Sequence, residues 1–122
     1  MDQQIGEMTL NGVTYVPKGS VVAPATKVDG MDFVIIRTFS AGVHVGYLES
    51  REGKEVVLRN SRRIWKWAGA NELCQVALIG VDKVNSKISA TVDRIVLTEA
   101  IEIINCTGAA RDNICEVPEW VK

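Results

Sequence analysis

Between Phe33 and Trp67 the chain alternates apolar runs with small or charged turns. Phe33-Val34-Ile35-Ile36 is continuously apolar, which predicts a strand covered on both faces. In the next run Val43, Val45 and Tyr47 alternate with His44, Gly46 and Leu48, so a strand with two distinct faces is predicted. The third run opens with charge at Lys54 and Glu55. Val56 and Leu58 then share one face, and Val57 and Arg59 the other. Ser40-Ala41-Gly42 and Arg51-Glu52-Gly53-Lys54 separate the runs, and both glycines can take the positive φ of tight hairpin connections. A three-stranded antiparallel meander is the simplest reading.

Downstream the period changes. Ala68-Gly69-Ala70-Asn71 breaks the strand pattern. Asn71 is placed to cap a helix over Glu72 to Ile79, with Leu73, Val76, Ala77 and Ile79 as its buried stripe and Gly80 as its stop. Lys87 to Thr91 predicts a short strand. Asp93 to Ile104 could begin a helix at Thr98-Glu99-Ala100, but its β-branched content favours one strand. Thr107-Gly108 opens a short helix, Ala109 to Glu116, and Pro118 ends it. Upstream, Asn11-Gly12 signals a short hairpin within Thr9 to Val16, and Pro17 to Gly30 reads as a connecting loop. The expected fold is therefore α+β. Residues 33–122 form one domain with a small antiparallel β-meander core, one central helix and a short C-terminal helix. An arm or hairpin over 1–32 precedes it and could pack on a neighbour.

A chain of 122 residues suits one domain with its own core, and 47% hydrophobic residues is ordinary for a globular protein. The Phe33–Ile36 run and three tryptophans are much apolar surface for this size, which predicts a homo-oligomer, at least a dimer. A net charge of −1 argues against wholesale binding to DNA but leaves room for a local phosphate site. No apolar run approaches a membrane span. The N-terminus, M-D-Q-Q-I-G-E, lacks signal-peptide character, so the expected location is the cytoplasm where the protein is made. Cys74, Cys106 and Cys115 have no paired spacing and His44 is the only histidine, so buried, inert thiols are expected rather than a disulfide framework or a zinc site. No cofactor is expected.

No P-loop, G-x-G-x-x-G or H-E-x-x-H occurs. Ser40 and His44 would share a strand face but lie roughly 13 Å apart. They could meet only through a tight turn or across subunits. Glu99 and Glu102 could pair as acid and base, but one strand would put them on opposite faces. The small turn lets backbone N–H groups approach a phosphate or ribose, although hairpins use the same residues. Arg59, Arg62 and Arg63 could grip phosphates, or form a solvated face. Trp65, Trp67 and Phe39 could stack a base, or fill a core or interface. Arg111, early in the last helix, sits where exposed N–H groups favour an anion.

Five ordered blocks carry a resemblance. They are R-T-F-S-A-G-V-H-V-G at 37–46, E-G-K-E-V-V-L at 52–58, R-R-I-W-K-W-A-G-A at 62–70, S-K-I-S at 86–89 and L-T-E-A-I-E-I-I at 97–104. Together they resemble the phage anti-Thoeris sponge family, also called Thoeris anti-defence protein one, over roughly residues 33–111. The resemblance implies a phage-encoded, non-enzymatic protein of the host cytoplasm. Such proteins bind and sequester cyclic ADP-ribose isomers (glycocyclic ADP-ribose type signals) made by bacterial TIR enzymes, and release them undamaged. It implies hexamers built from dimers, ligand between protomers, and in some members cyclic trinucleotides at separate sites. The ligand residues it suggests are Phe39, Ser40, Ala41, Gly42, Val43 and His44, then Trp65, Trp67 and Asn71, then Ser86 and Ile88, and Arg111 with Asn113. Arg59, Arg62 and Arg63 are second-site phosphate candidates. A nucleotide-cleaving enzyme acting through His44 and Glu99, and a phage structural or assembly protein, are the alternatives.

Overall fold

The computed structural model describes residues 23–121. The short hairpin expected within Thr9 to Val16 lies outside them. Strands β1 (Phe33–Thr38), β2 (Val43–Glu52) and β3 (Glu55–Lys66) form the expected antiparallel meander. Helix α1 (Leu73–Ile79) follows, then β4 (Lys87–Ile88), β5 (Val92–Leu97), β6 (Ala100–Asn105) and helix α2 (Gly108–Cys115). The protein is a small α+β fold with one antiparallel sheet and two helices.

The single strand expected over Asp93 to Ile104 is two strands. Thr98-Glu99 joins them, yet β5 pairs with β3 and β6 pairs with β1. A two-residue link between opposite edges requires the sheet to curl on itself. β-branched content identified the extended backbone but carried no information on the bend. The strand expected over Lys87 to Thr91 shrinks to Lys87–Ile88. Here Ile88 pairs with Ile64, and Ser89 leaves the strand to bond Arg63. Glu72, not Asn71, caps α1, accepting from the Cys74 and Gln75 N–H groups. The helix begins one residue later than an Asn71 cap would place it, and the Glu72 carboxylate serves its second and third N–H groups. In α2 the Thr107 hydroxyl accepts from the Ala110 N–H.

Curling creates two cores. Val34, Ile36, Val56, Leu58 and Leu97 fill the inside of the curl. Phe33, Ile35, Val45, Tyr47 and Ile64 point outward and pack with Val76, Ala77, Ala110 and Ile114 of the helices. The four apolar residues of β1 thus alternate between two cores, which is why the run is continuous. Of the upstream segment, Pro24 bridges to Thr107 and Ala25 is buried, so residues next to the domain pack on it. Cys106 is buried and its thiol is pushed up to about 12, mainly by desolvation. Cys74 and Cys115 are exposed, against expectation. No helix among the described residues is long and apolar enough to cross a membrane.

Candidate functional site

The inner face of the curl changes character at one bulge. Asn60 adopts φ +50°, and between Tyr47↔Arg59 and Val45↔Arg62 β3 carries one residue more than β2. Gly46 faces the bulge, where a Cβ would press on the Arg59 carbonyl at 3.0 Å. The extra residue resets the alternation. Val56 and Leu58 point inward before it, and Ser61, Arg63 and Trp65 after it. The apolar interior therefore ends in a largely apolar cavity of about 280 Å³ with a few polar residues in its wall. His44 of β2 and Ser61, Arg63 and Trp65 of β3 line one side. Ser89, Ala90, Val92 and Ile95 close the other.

Each polar group here has a defined state. His44 is 1% exposed and its Nε2 lies 2.9 Å from the Ala41 carbonyl. A carbonyl only accepts, so Nε2 carries the proton and Nδ1 is left as an acceptor. Burial pushes the His44 pKa down. The Ala41 bond opposes this, and the Arg63 charge adds to the lowering. The ring is neutral at pH 7. Arg63 lies over the Trp65 ring at 5.2 Å, and Trp65 meets Trp120 edge-on at 5.9 Å. Ser61 is 1% exposed, and its hydroxyl is the buried side-chain polar atom without a hydrogen-bond partner among the described residues. Such groups are rare and costly.

The neutral His44 has a testable consequence. Its folded pKa lies below the unfolded value near 6.5, so the unfolded chain takes up the proton first. Its contribution to stability is complete above about pH 6.5 and is lost as pH falls through the lower folded value. Glu72 and Asp82 are also lowered, but from carboxylate values, so their losses come at more acid pH. Urea unfolding between pH 7 and 5 is expected to show falling stability, and His44→Gln to flatten that slope. Equal slopes in both proteins would remove His44 as the cause.

The other sequence candidates disperse. Thr38 shapes the β1–β2 turn: its hydroxyl donates to the Gly42 carbonyl at 2.7 Å and accepts from the Ala41 N–H at 2.9 Å. Phe39 projects 77% exposed, the Ser40 hydroxyl donates to Glu99, and Val43 packs beside the helix-side core. Ser40 and His44 thus have separate partners. Glu102 pairs with Arg37 at 3.0 Å. Trp67 packs on the helix-side core, and Ile88 is fully buried in it with no surface to offer a ligand. The Asn71 N–H donates to Gln75, and the Ser86 hydroxyl accepts from the Ala68 N–H. Arg111 donates to the Tyr47 hydroxyl at 2.8 Å and to Asp112 at 2.7 Å. Asn113 bonds both the N–H and the carbonyl of Val81. Arg59 is held by Glu49 and Asp93, and Arg62 is buried on the helix side. So His44, Arg63 and Trp65 converge, while Ser61, Ser89, Ala90, Val92 and Ile95 were not anticipated. Asn60 was the available signal for Ser61, since asparagine tolerates the left-handed conformation that makes the bulge.

A broader groove of about 670 Å³ runs beside Trp120. Its lysine Lys83 is already paired with Glu116 at 2.7 Å, and Lys87 lies over the Trp120 ring. The smaller cavity is the better candidate because Ser61, with its orphaned hydroxyl, stands in its wall. Among the described residues no group of His, Cys, Asp and Glu could hold a metal ion. No curated protein and no solved structure matches the chain. A domain family does match over residues 31–114, a span that includes all six strands and all of α2 but its last residue. The chain belongs to that family, described as a domain of unknown function (DUF6948).

Proposed function

We propose that this protein is a phage-encoded sponge that binds and sequesters cyclic ADP-ribose-type signals in the host without cleaving them. The observation that carries the reading is the cavity itself: a cation over an indole at the mouth, with an unpaired hydroxyl and a neutral imidazole within. These groups suit a nucleotide, whose base stacks and whose phosphate takes a guanidinium. The sequence blocks that resemble anti-Thoeris sponges supply the identity of the signal. At about 280 Å³ the cavity is near the lower end of ligand sites, roughly 300–1,000 Å³. A cyclic dinucleotide-sized signal would extend beyond it.

A second copy of the chain supplies the rest of the site in this reading. Phe39 and the Trp65–Trp120 pair are exposed apolar surface of the kind interfaces cover. Assembly as a homo-oligomer, a hexamer built from dimers, would place the exposed β1–β2 turn of one protomer against ligand held by another. Cyclic trinucleotides remain the proposed ligands of a separate site.

The test is direct. The protein is mixed with glycocyclic ADP-ribose and removed by filtration, then denatured, and the released material is analysed. Depletion followed by recovery of intact ligand is expected. Cleaved ligand would make the protein an enzyme, and no depletion would favour an assembly role. Light scattering at micromolar concentration is expected to give an oligomer, and a monomer would remove the shared site.

A further inference from the structure

Two openings of the molecule meet at one pair of exposed indoles. Trp65 stands in the wall of the smaller cavity and Trp120 in that of the broader groove, and their rings touch edge-on at 5.9 Å. Trp65 is 56% exposed and Trp120 48%, so each keeps about half its surface open although the two are in contact. The pair is held in place. Trp65 belongs to β3, and the segment after α2 is tied to β4 by the Glu119–Ile88 bridge and by the Trp120 N–H, which donates to the Ile88 carbonyl at 2.9 Å. Val117 anchors the same segment in the helix-side core.

Each indole also has a cation over its ring, Arg63 on Trp65 at 5.2 Å and Lys87 on Trp120 at 5.1 Å. Lys66 stands directly opposite Lys87 in the β3–β4 ladder, a like-charge pairing that costs stability. Among the described residues no carboxylate pairs with Arg63, Lys66 or Lys87, whereas Lys27, Arg37, Arg59, Lys83, Arg94 and Arg111 each have one. The acids of the groove are Glu116, already engaged by Lys83, and Glu119. Exposed indoles offer a stacking surface to any base, and unpaired cations beside them offer charge to a phosphate.

We propose that the Trp65–Trp120 pair, with Arg63 and Lys87, is a platform for a nucleoside diphosphate that spans from the cavity into the groove. The phosphates meet the two cations, and the rings of the ligand meet the two indoles. This deepens the sponge reading, whose signal outgrows the smaller cavity, and rests on it for the choice of a nucleotide over other ring-bearing anions. It makes Trp120, in the segment after α2, a ligand contact within the same protomer.

Calorimetric titration of the full chain with ADP and with glycocyclic ADP-ribose tests this on the wild type, Trp120→Ala, Trp120→Phe and Lys87→Gln. Trp120→Ala is expected to weaken binding of both probes roughly tenfold, and Trp120→Phe to recover most of it by keeping a stacking ring. Lys87→Gln should weaken both roughly fivefold and flatten the dependence of affinity on salt. It leaves the Trp120–Ile88 backbone bond in place, so that loss is not the mark of a displaced segment. Unchanged affinity in Trp120→Ala or in Lys87→Gln would overturn the proposal. If the wild type retains glycocyclic ADP-ribose and these variants retain it equally well, the sponge reading stands and the platform falls. If ADP binds with the expected losses while the cyclic signal is not retained, the platform stands and the sponge reading falls. Binding of neither probe up to millimolar concentration would remove both.

Discussion

Gly80→Ala is expected to destabilise the protein by about 3–5 kcal/mol, with little change in the ligand cavity of the molecules that remain folded. Two independent effects add. Gly80 ends α1 at φ +83° and ψ −154°, a backbone region essentially restricted to glycine. A Cβ built there would also overlap the Asn113 side-chain amide. That amide is not free to leave, since it accepts from the Val81 N–H at 2.8 Å and donates to the Val81 carbonyl at 3.0 Å. Moving it would break both bonds at the junction of α1 and α2. The junction is otherwise tied by Thr107, whose N–H donates to the Ala77 carbonyl and whose hydroxyl donates to the Leu78 carbonyl. Urea denaturation gives the loss. The double change of Gly80→Ala with Asn113→Ala is expected to cost less than the two single changes summed, because the overlap is then gone. A loss below about 1 kcal/mol for Gly80→Ala alone would contradict this geometry.

The same position shows what could be read in the chain without a structure. Gly80 was legible as a helix stop, because stops are local and glycine serves them well. Its contact with Asn113, 33 positions later, was not. The β1–β3 meander was legible for a similar reason: alternation and turn chemistry act between neighbours in sequence. The closure of the sheet depends on β5 and β6 reaching opposite edges, which no local pattern encodes. At the site, residue type named Trp65 and His44 as candidates but assigned Arg63 to a separate phosphate site, whereas all three line one cavity. It could not sort Arg62 from Arg63, because a one-residue bulge at Asn60 decides which arginine faces which core. Nor could it distinguish Ile88, a core residue, from a surface contact.

Arg62→Met is the second change expected to have a large effect, about 3–5 kcal/mol of lost stability, although no ligand contact is removed. Arg62 is only 6% exposed, and its guanidinium faces carbonyls. Nε donates to Ser89 at 2.8 Å and Nη1 to Ile114 at 2.9 Å, while Nη2 reaches toward Ile88 at 3.5 Å. Ile114 lies in the last turn of α2, where the helix end is negative and suits a cation. Burial is the main influence on the Arg62 pKa and lowers it, with Cys115 and Glu119 opposing. Methionine would keep much of the stem's volume but remove the Arg62 donors from the Ser89 and Ile114 carbonyls, the latter still accepting from the Val117 N–H at 3.2 Å. Arg62→Lys retains a charge and should recover part of the loss. The effect also reaches the site. Ser89 is held on one side by Arg62 and on the other by Arg63, whose N–H donates to its hydroxyl at 2.8 Å and whose carbonyl accepts its N–H at 2.9 Å. Ser89 and Ala90 form a wall of the cavity. Arg62→Met is therefore expected to weaken nucleotide binding by loosening that wall, even in fully folded protein at low temperature. Arg62→Lys should bind more nearly as the wild type does. If Arg62→Met matches the wild type in urea midpoint, the carbonyl cage does not hold β3 to α2. If it loses stability but not affinity, the wall is positioned without Arg62.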